Sequence, residues 1–256
     1  MDLSGKTALV TGSSKNIGRA IAVTLAEHGA DVGVTARTDE EGCEETARRV
    51  RAAGGDATVA LGDIGDPADV ESVVDHVRGE LGPIDVLVNN ATYRPSKPLV
   101  DLTPADVDRV QDVNFRGVLL TTQAVVPDMR DHGGGAIVNL IGVGVYLGKP
   151  GHAHSYGTKF GIEGQVRQLA TELGADGIRI NGLSPGLVDT ERSRDDAWEH
   201  IERETVAATP LGRLGTVGEI ADACCFLVSD SASYITGQVL HVNGGAYPTP
   251  RVVSER

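Results

Sequence analysis

The segment Thr11-Gly12-Ser13-Ser14-Lys15-Asn16-Ile17-Gly18 joins a short apolar run, Thr7–Thr11, to a helical pattern over Ile17–His28. A glycine-bearing turn between a strand and a helix presents free N–H groups and the positive end of the helix dipole, which together bind phosphate. Gly12 permits the tight turn, and Gly18 lets the helix and the strand approach closely. The glycine pair alone also fits an ordinary strand–helix turn, so the rest of the chain decides between these interpretations.

Short apolar runs alternate with helical patterns along all 256 residues. Parallel strands need crossover connections, so this alternation predicts an α/β fold of the Rossmann type, a doubly wound parallel sheet of about seven strands with helices on both faces. We expect one domain over residues 1–256, because no repeat or linker interrupts the pattern. Strands are expected at Thr7–Thr11, Asp31–Thr35, Ala57–Leu61, Ile84–Val88, Ala136–Ile141, Ile178–Leu183 and Gln238–Val242. Helices are expected at Ile17–His28, Glu40–Ala53, Pro67–Leu81, Pro104 to about Arg130, Ala153–Leu173 and after Thr216.

The composition limits the classes of partner. A formal net charge of −13 argues against nucleic acid or an anionic membrane as a partner. No long apolar run and no signal-like N-terminal segment is present, so we expect a cytoplasmic protein. Cys43, Cys224 and Cys225 form no ligand pattern with histidine, and we expect no metal site.

A series of short motifs follows the turn, each after a predicted strand or within a predicted helix: Asp63, Asn89-Asn90-Ala91, Asn114, Lys159, Pro185-Gly186 with Thr190, and Val242-Asn243-Gly244-Gly245. In this order and at this spacing, they resemble the classical short-chain dehydrogenases/reductases over essentially the whole chain. The resemblance implies a nicotinamide dinucleotide, a small-molecule substrate and a homo-oligomer, dimer or tetramer, assembled through the long helices and the last strand.

The choice of dinucleotide is predicted from the end of the second strand. Ala36 stands where an acidic residue would bind the adenosine ribose, and Arg37 follows it. With Lys15 in the turn, two cations fit a 2′-phosphate, so we expect NADP(H); the alternative is that Arg37 is a solvated surface arginine. Asn16 replaces the family's middle glycine, and asparagine tolerates left-handed backbone. The resemblance implies cofactor contacts from Gly12, Ser14, Lys15, Asn16, Ile17, Gly18, Arg37, Asp63, Ile64, Asn90, Ala91, Lys159, Pro185, Gly186, Val188 and Thr190.

The catalytic positions of the family are only half matched. In the family an asparagine holds a water, a serine bonds the substrate oxygen, a tyrosine is the acid–base and a lysine tunes it. Asn114 and Lys159 match these roles, whereas Gly142 stands at the position of the serine and Ser155 at that of the tyrosine. A short aliphatic hydroxyl does not replace a phenol, and a positioned general acid–base contributes about 10²–10⁴ in rate.

Two neighbouring groups are candidates for the missing proton donor. Tyr156 lies about 100° round the helix from Ser155 and three residues before Lys159, so it flanks the same face; otherwise it is a packed aromatic. The second candidate is a histidine: His152 and His154 precede the helix at the expected wall of the pocket, and either could donate a proton near neutral pH; otherwise each is a polar loop residue.

Loops after the strands are expected to build the substrate pocket. Tyr93 and Tyr146 are predicted in its wall. Residues 187–211 resemble the family's mobile lid and include Trp198. The acidic residues of this segment disfavour a highly anionic substrate near the surface of the lid: Glu191, Asp195, Asp196 and Glu199.

Three functions stay open from the sequence. We favour NADP(H)-dependent carbonyl reduction with a non-standard proton donor, because the cofactor motifs, Asn114 and Lys159 are present. A non-redox dehydratase, cyclase or isomerase on the same fold is the first alternative, since both groups that grip a ketone oxygen are lost. The second alternative is a non-catalytic, nucleotide-binding relative.

Overall fold

Within residues 1–191 and 196–249, which the computed structural model describes (backbone alone for 196–200), seven parallel strands form one sheet. They are β1 (Thr7–Thr11), β2 (Asp31–Ala36), β3 (Ala57–Leu61), β4 (Val86–Asn89), β5 (Gly135–Leu140), β6 (Ile178–Pro185) and β7 (Val239–Val242). Their order across the sheet is β3-β2-β1-β4-β5-β6-β7. The predicted doubly wound parallel sheet is therefore confirmed.

Helices connect the strands and cover both faces of the sheet. In the described part of the chain they are α1 (Asn16–Glu27), α2 (Glu40–Ala53), α3 (Pro67–Leu81), α4 (Pro104–Gln111), α5 (Gly117–Asp131), α6 (Gly144–Leu147), α7 (Ala153–Leu173), α8 (Asp196–Ala208) and α9 (Val217–Val228). A search of these described helices finds none long and apolar enough to span a bilayer.

Alternate residues of the central strands fill two cores, one on each face of the sheet. Leu9 and Leu87 pair in register across β1 and β4 and pack with residues of α3, α5 and α7. Val10 and Val88, the next pair, pack with residues of α1, α2 and α9. All four side chains are fully buried. The strands are apolar on both sides because helices cover both faces, as in other parallel sheets.

The strand order reverses between β1 and β4, and this reversal locates the candidate site. The chain moves outward from β1 to β3 on one side and from β4 to β7 on the other. Open parallel sheets bind ligands at the carboxyl ends of the strands beside such a switch point. Since β1 ends at Thr11 and β4 ends at Asn89, the segments 12–18 and 90–94 meet there.

One predicted helix differs in detail from the structure. The helix predicted from Pro104 to about Arg130 is interrupted by a π turn over residues 112–116, between α4 and α5. Asn114 lies in this turn. Single π turns inside helices occur frequently at functional sites. A hydrophobic period of 3.6 residues carries no signal for the extra residue, so the prediction of one continuous helix was wrong here.

The predicted lid is only partly described. The structure shows α8 within the segment 187–211, and Val188 forms an isolated parallel bridge with Gly215. Residues 192–195 and the side chains of 196–200 lie outside the described part, among them Trp198 and most of the acidic residues named above. The assignment of this segment as a lid stays a prediction.

Candidate active site

The turn between β1 and α1 has no room for side chains at its two key glycines. Gly12 has φ +65°, and a Cβ there would lie 2.8 Å from the Cα of Ala91. A Cβ on Gly18 would lie 2.3 Å from the Gly12 carbonyl oxygen. The N-cap of α1, Lys15, forms no side-chain cap, so the first N–H groups of this helix face the turn without a capping oxygen. This is a backbone cradle suited to an anionic group.

Asn16 adopts the left-handed conformation expected of it, with φ 53°. Its Oδ1 accepts a hydrogen bond from the N–H of Glu191, 2.9 Å away. A glycine at this position has no side chain to make the bond. The asparagine therefore keeps the shape of the turn and ties it to the start of the segment 187–211.

A cleft of about 470 Å³ runs along the carboxyl ends of the strands from this turn. Most of the predicted cofactor residues line it: Gly12, Ser14, Lys15, Asn16, Ile17, Gly18, Arg37, Asp63, Ile64, Asn90, Ala91 and Thr190. Four predicted cofactor residues do not line it: Lys159, Pro185, Gly186 and Val188. Of these, Gly186 lines a separate cavity near Asn243, and Val188 is buried.

The end of the cleft beside β2 holds two cations. Arg37 and Lys15 are exposed, and within the described residues neither forms an ion pair. One carboxylate, that of Asp39, also lines this end, and sequence reasoning missed it. Asp39 accepts the N–H of Gly42 at the start of α2, and its pKa is lowered by hydrogen bonds from Ser14 and then Gly42. The Asp39 carboxylate therefore serves as the N-cap of α2.

Asp63 is engaged by an arginine that the sequence analysis did not single out. Its two carboxylate oxygens accept hydrogen bonds from the Gly65 N–H at 2.9 Å and from Arg109 at 2.6 Å. Burial raises the pKa of Asp63, but the bonds from Arg109 and Gly65 outweigh it and the pKa is lowered. The Arg109 guanidinium also lies 5.8 Å from the centre of the Tyr93 ring. Arg109 sits in a polar helical pattern, which offers no sequence signal for this contact.

Asn114 holds the backbone that follows β4. Its Oδ1 accepts hydrogen bonds from the Tyr93 N–H at 2.8 Å and the Thr92 hydroxyl at 3.1 Å. Its Nδ2 donates to the Tyr93 carbonyl oxygen at 2.8 Å. The π turn thus presents a fully buried side-chain amide to both the N–H and the carbonyl oxygen of Tyr93, and this fixes the loop at the inner end of the cleft.

The two unmatched catalytic positions place no reactive side chain in the cleft. Gly142 has φ +104°, and a Cβ there would meet nothing within 4 Å. Ser155 is fully buried, and its hydroxyl donates to the carbonyl oxygen of His152 at 3.2 Å. The serine hydroxyl is therefore used inside the first turn of α7.

Tyr156 reaches the loop that follows β5. A Cβ on Gly144 would lie 2.4 Å from the Tyr156 hydroxyl oxygen, so only glycine fits beside the phenol. The Tyr156 ring stacks on His152, with 5.1 Å between ring centres and 16° between planes. The structure thus brings two predicted candidates, Tyr156 and His152, into contact with each other. The Tyr156 hydroxyl lies beside Gly144, two residues beyond Gly142.

Lys159 is buried, with 4% of its surface exposed. Its ammonium donates to the Leu140 carbonyl oxygen at 2.7 Å, at the end of β5. Burial lowers the pKa of Lys159 to about 7, and the charge of Arg94 adds to this effect. The lysine is therefore poised to exchange a proton near neutral pH.

Two other residues predicted near the pocket, Tyr146 and His154, do not line the cleft. Tyr146 donates a hydrogen bond to Glu163 at 2.6 Å and stacks on Tyr247, 4.5 Å between ring centres. Its phenol is committed to this cluster, and burial raises its pKa. His154 lines a separate apolar groove beside Phe115. Tyr93 lines the cleft, as predicted.

The cysteines form no site in the described structure. Cys43, Cys224 and Cys225 are buried and unbonded. Burial raises the pKa of Cys43 and of Cys225 to about 11. A search of the described residues finds no group of three or more His, Cys, Asp and Glu side chains that could hold a metal ion.

Comparisons with known proteins extend over nearly the whole chain. A family model described as enoyl-(acyl carrier protein) reductase matches residues 12–247. The chain is 39% identical over 250 residues to a 3-oxoacyl-(acyl-carrier-protein) reductase of Escherichia coli K12, covering 96% of this chain and 99% of the relative. It is 37% identical over 242 residues to the reductase of the same name from Staphylococcus aureus Mu50, covering 94% and 98%. A solved structure of a gluconate 5-dehydrogenase from Burkholderia cenocepacia J2315, in complex with NADP and tartrate, matches with a TM-score of 0.87, 35% identity and 96% coverage of each chain.

We expect Lys159→Met to remove a pH dependence of stability. The folded-state pKa is lowered to about 7, whereas an unfolded lysine titrates near ~10.4. Between these values the unfolded chain binds one more proton, so this group makes the free energy of unfolding rise with pH by up to about 1.4 kcal/mol per unit. Urea unfolding of wild type and variant between pH 7 and about 9.5 measures the difference.

The matched control is Lys6→Met, which removes a lysine whose side chain is half exposed. This variant should show the same slope of unfolding free energy against pH as the wild type. If the free energy of unfolding differed between wild type and Lys159→Met by the same amount at every pH in this range, a buried lysine of lowered pKa would be contradicted.

Proposed function

The chain belongs to the classical short-chain dehydrogenase/reductase family, and we propose that it is an NADP(H)-dependent carbonyl reductase whose proton donor differs from the family's tyrosine. Its relatives are named as reductases and dehydrogenases, which supports an oxidoreductase that uses a nicotinamide cofactor. The central observation behind the finer proposal is the cleft, in which the cofactor motifs converge while Gly142 and Ser155 offer no acid.

The residues of the cleft fit a dinucleotide with a 2′-phosphate. The cradle of Gly12 and Gly18 at the N-terminus of α1 suits a pyrophosphate, because a side chain at either glycine would collide with the neighbouring backbone and distort the turn. Arg37 and Lys15 suit the 2′-phosphate, since both line the cleft and neither forms an ion pair within the described residues. The gluconate 5-dehydrogenase neighbour was solved with NADP, which supports the same choice here. When bound, NADPH supplies the hydride for the carbonyl carbon.

Tyr156 is the proposed proton donor. Its hydroxyl lies against Gly144, on the loop that begins at the vacant Gly142 position, and the stack on His152 holds its ring. His152 suits the role less well, because burial and then the charges of neighbouring cations lower its pKa and so disfavour the protonated imidazolium. The phenol would pass its proton to the carbonyl oxygen as the alkoxide forms.

Lys159 and Asn114 would assist the proposed proton transfer indirectly. Lys159 lies on α7, and its ammonium donates to the carbonyl oxygen of Leu140, two residues before Gly142; its charge would favour release of a proton from a nearby phenol. Asn114 keeps residues 92 and 93 in place beneath the nicotinamide end of the cleft. Both act by position and electrostatics.

One observation favours a non-redox reaction as the second candidate. Neither Gly142 nor Ser155 presents a group that grips a carbonyl oxygen. A reaction that needs no such grip, on a dinucleotide-binding scaffold, would leave nicotinamide absorbance unchanged during turnover. The absorbance therefore separates the two candidates.

We expect Arg37→Ala to weaken binding of 2′,5′-ADP by about tenfold, because it removes a charge-assisted bond to the 2′-phosphate. Binding of 5′-AMP, which lacks that phosphate, should change little. Isothermal titration calorimetry measures both. Arg51→Ala, which removes an exposed arginine on α2 away from the cleft, is the matched control. An equal loss of affinity for 2′,5′-ADP and 5′-AMP, or no loss of affinity for either, would contradict the assignment of Arg37.

We expect the wild type to oxidise NADPH in the presence of a small 3-oxoacyl thioester, S-acetoacetyl-N-acetylcysteamine, chosen because the curated relatives are named as 3-oxoacyl reductases. Tyr156→Phe should lower the rate by roughly 10² or more, since it removes the acid but keeps the ring. Ser155→Ala should leave the rate close to that of the wild type. The loss of absorbance at 340 nm reports each rate.

Three outcomes of this assay would change the account. Full activity of Tyr156→Phe would exclude the phenol as the donor. Loss of activity in Ser155→Ala with NADPH binding intact would show that the serine hydroxyl leaves its helix bond. Product formation without nicotinamide oxidation would favour the non-redox candidate.

A further inference from the structure

Two segments of the chain cross close to Arg94, which lines the cleft. The N–H of Lys97 donates to the carbonyl oxygen of Gly151 at 2.8 Å. Gly151 has φ +75°, and a Cβ there would lie 2.6 Å from the Ser96 hydroxyl oxygen. Glycine is therefore needed at the crossing, which holds the residues before Lys97 beside those around Gly151.

The crossing gathers cationic side chains. Arg94 lines the cleft directly after Tyr93, the residue whose backbone Asn114 holds on both sides. Lys149 lies on the second segment, two residues before Gly151. Arg94 and Lys149 are exposed, and within residues 1–191 and 196–249 neither forms an ion pair. Lys97 differs, because Asp106 pairs with it at 2.5 Å.

The electrostatic surroundings of this place are positive. The pKa of His152 is lowered by burial and then by Lys149, Arg94 and His154. The charged groups that act on His152 are thus all basic. The charge that acts on buried Lys159 is again that of Arg94. An uncompensated positive site is unexpected in a chain with a net charge of −13.

The first turn of α7 adds to the same field. Its N-cap is His152, which makes no side-chain cap. His152 is only 7% exposed, and its Nδ1 has no partner among the described residues. The positive dipole end of this 21-residue helix therefore has no side-chain cap, and it begins four residues after Lys149 in the chain.

We propose that Arg94 and Lys149 bind an anionic group of the substrate, a carboxylate or a phosphate, so that the protein acts on carbonyl compounds that bear one such group. The proposal rests on the proposed function, since it takes the cleft as the place of a carbonyl substrate. A guanidinium binds either anion through two parallel N–H bonds, and a nearby ammonium adds a point charge. The acidic segment 187–211 disfavours a highly anionic ligand, which is consistent with a single anionic group.

The test measures anion binding by calorimetry to the protein saturated with NADPH, because the nucleotide then fills the phosphate cradle of α1. The probes are succinate, inorganic phosphate, and 1,4-butanediol, a neutral analogue of succinate with the same carbon chain. The variants are Arg94→Gln and Lys149→Gln. The control with the same charge change is Arg130→Gln, whose partner Asp176 lies at the opposite ends of the strands.

We expect succinate or phosphate to bind and 1,4-butanediol to bind at least about tenfold more weakly, with a further loss of about tenfold in Arg94→Gln and none in Arg130→Gln. Tighter binding of succinate than of phosphate would identify the group as a carboxylate, and the reverse would identify it as a phosphate. Equal binding of succinate and the diol, absence of binding by both anions, or unchanged anion binding in Arg94→Gln and Lys149→Gln would overturn the proposal.

Two readouts separate this proposal from the proposed function. If Arg94→Gln weakens NADPH as much as it weakens the anions, Arg94 serves the cofactor and the substrate proposal fails. If the protein binds no nicotinamide nucleotide, the proposed function fails. The succinate titration without nucleotide still tests the anion site, because its dependence on Arg94 does not require turnover.

Discussion

The close approach of β1 and β4 at their carboxyl ends is the constraint on which the rest of the site depends. Gly12 and Gly18 have no space for a Cβ, and the side chain of Asn90 donates to the carbonyl oxygens of Thr11 and Gly12 at 3.0 and 2.8 Å. These contacts lock the phosphate turn against the loop that follows β4. The residues that line the cleft, from Arg37 to Tyr93, are placed relative to this junction.

At the chemical end of the cleft, the position of Tyr156 depends on glycines of the loop that follows β5. The proposed proton donor, Tyr156, lies one residue after Ser155, and a Cβ on Gly144 would lie 2.4 Å from its hydroxyl oxygen. Gly142 adopts φ +104°, a conformation that an L residue rarely takes, so a serine could not be placed there without a change in backbone. The loop after β5 and the start of α7 are therefore in contact through Gly144 and Tyr156.

Much of this could be predicted from the sequence because it depends on local pattern. The alternation of strands and helices gave the sheet, and the chemistry of asparagine gave the left-handed Asn16. What could not be predicted depends on contacts between distant segments. The bond from Arg109 to Asp63 and the crossing at Gly151, which places Lys149 near Arg94, have no signature in spacing. The predicted roles of the individual site residues stay proposals.

The central claim is that the cofactor end of this cleft works as an NADP(H) site although the chemical end has changed. Titration of the protein with NADPH and with NADH, followed by nicotinamide fluorescence, tests it most directly. The account predicts an NADPH dissociation constant on the order of micromolar and at least about tenfold weaker binding of NADH, from the added charge-assisted contacts to the 2′-phosphate. Equal affinities would contradict the roles of Arg37 and Lys15, and absence of binding by both would contradict the assignment as a nicotinamide-dependent reductase.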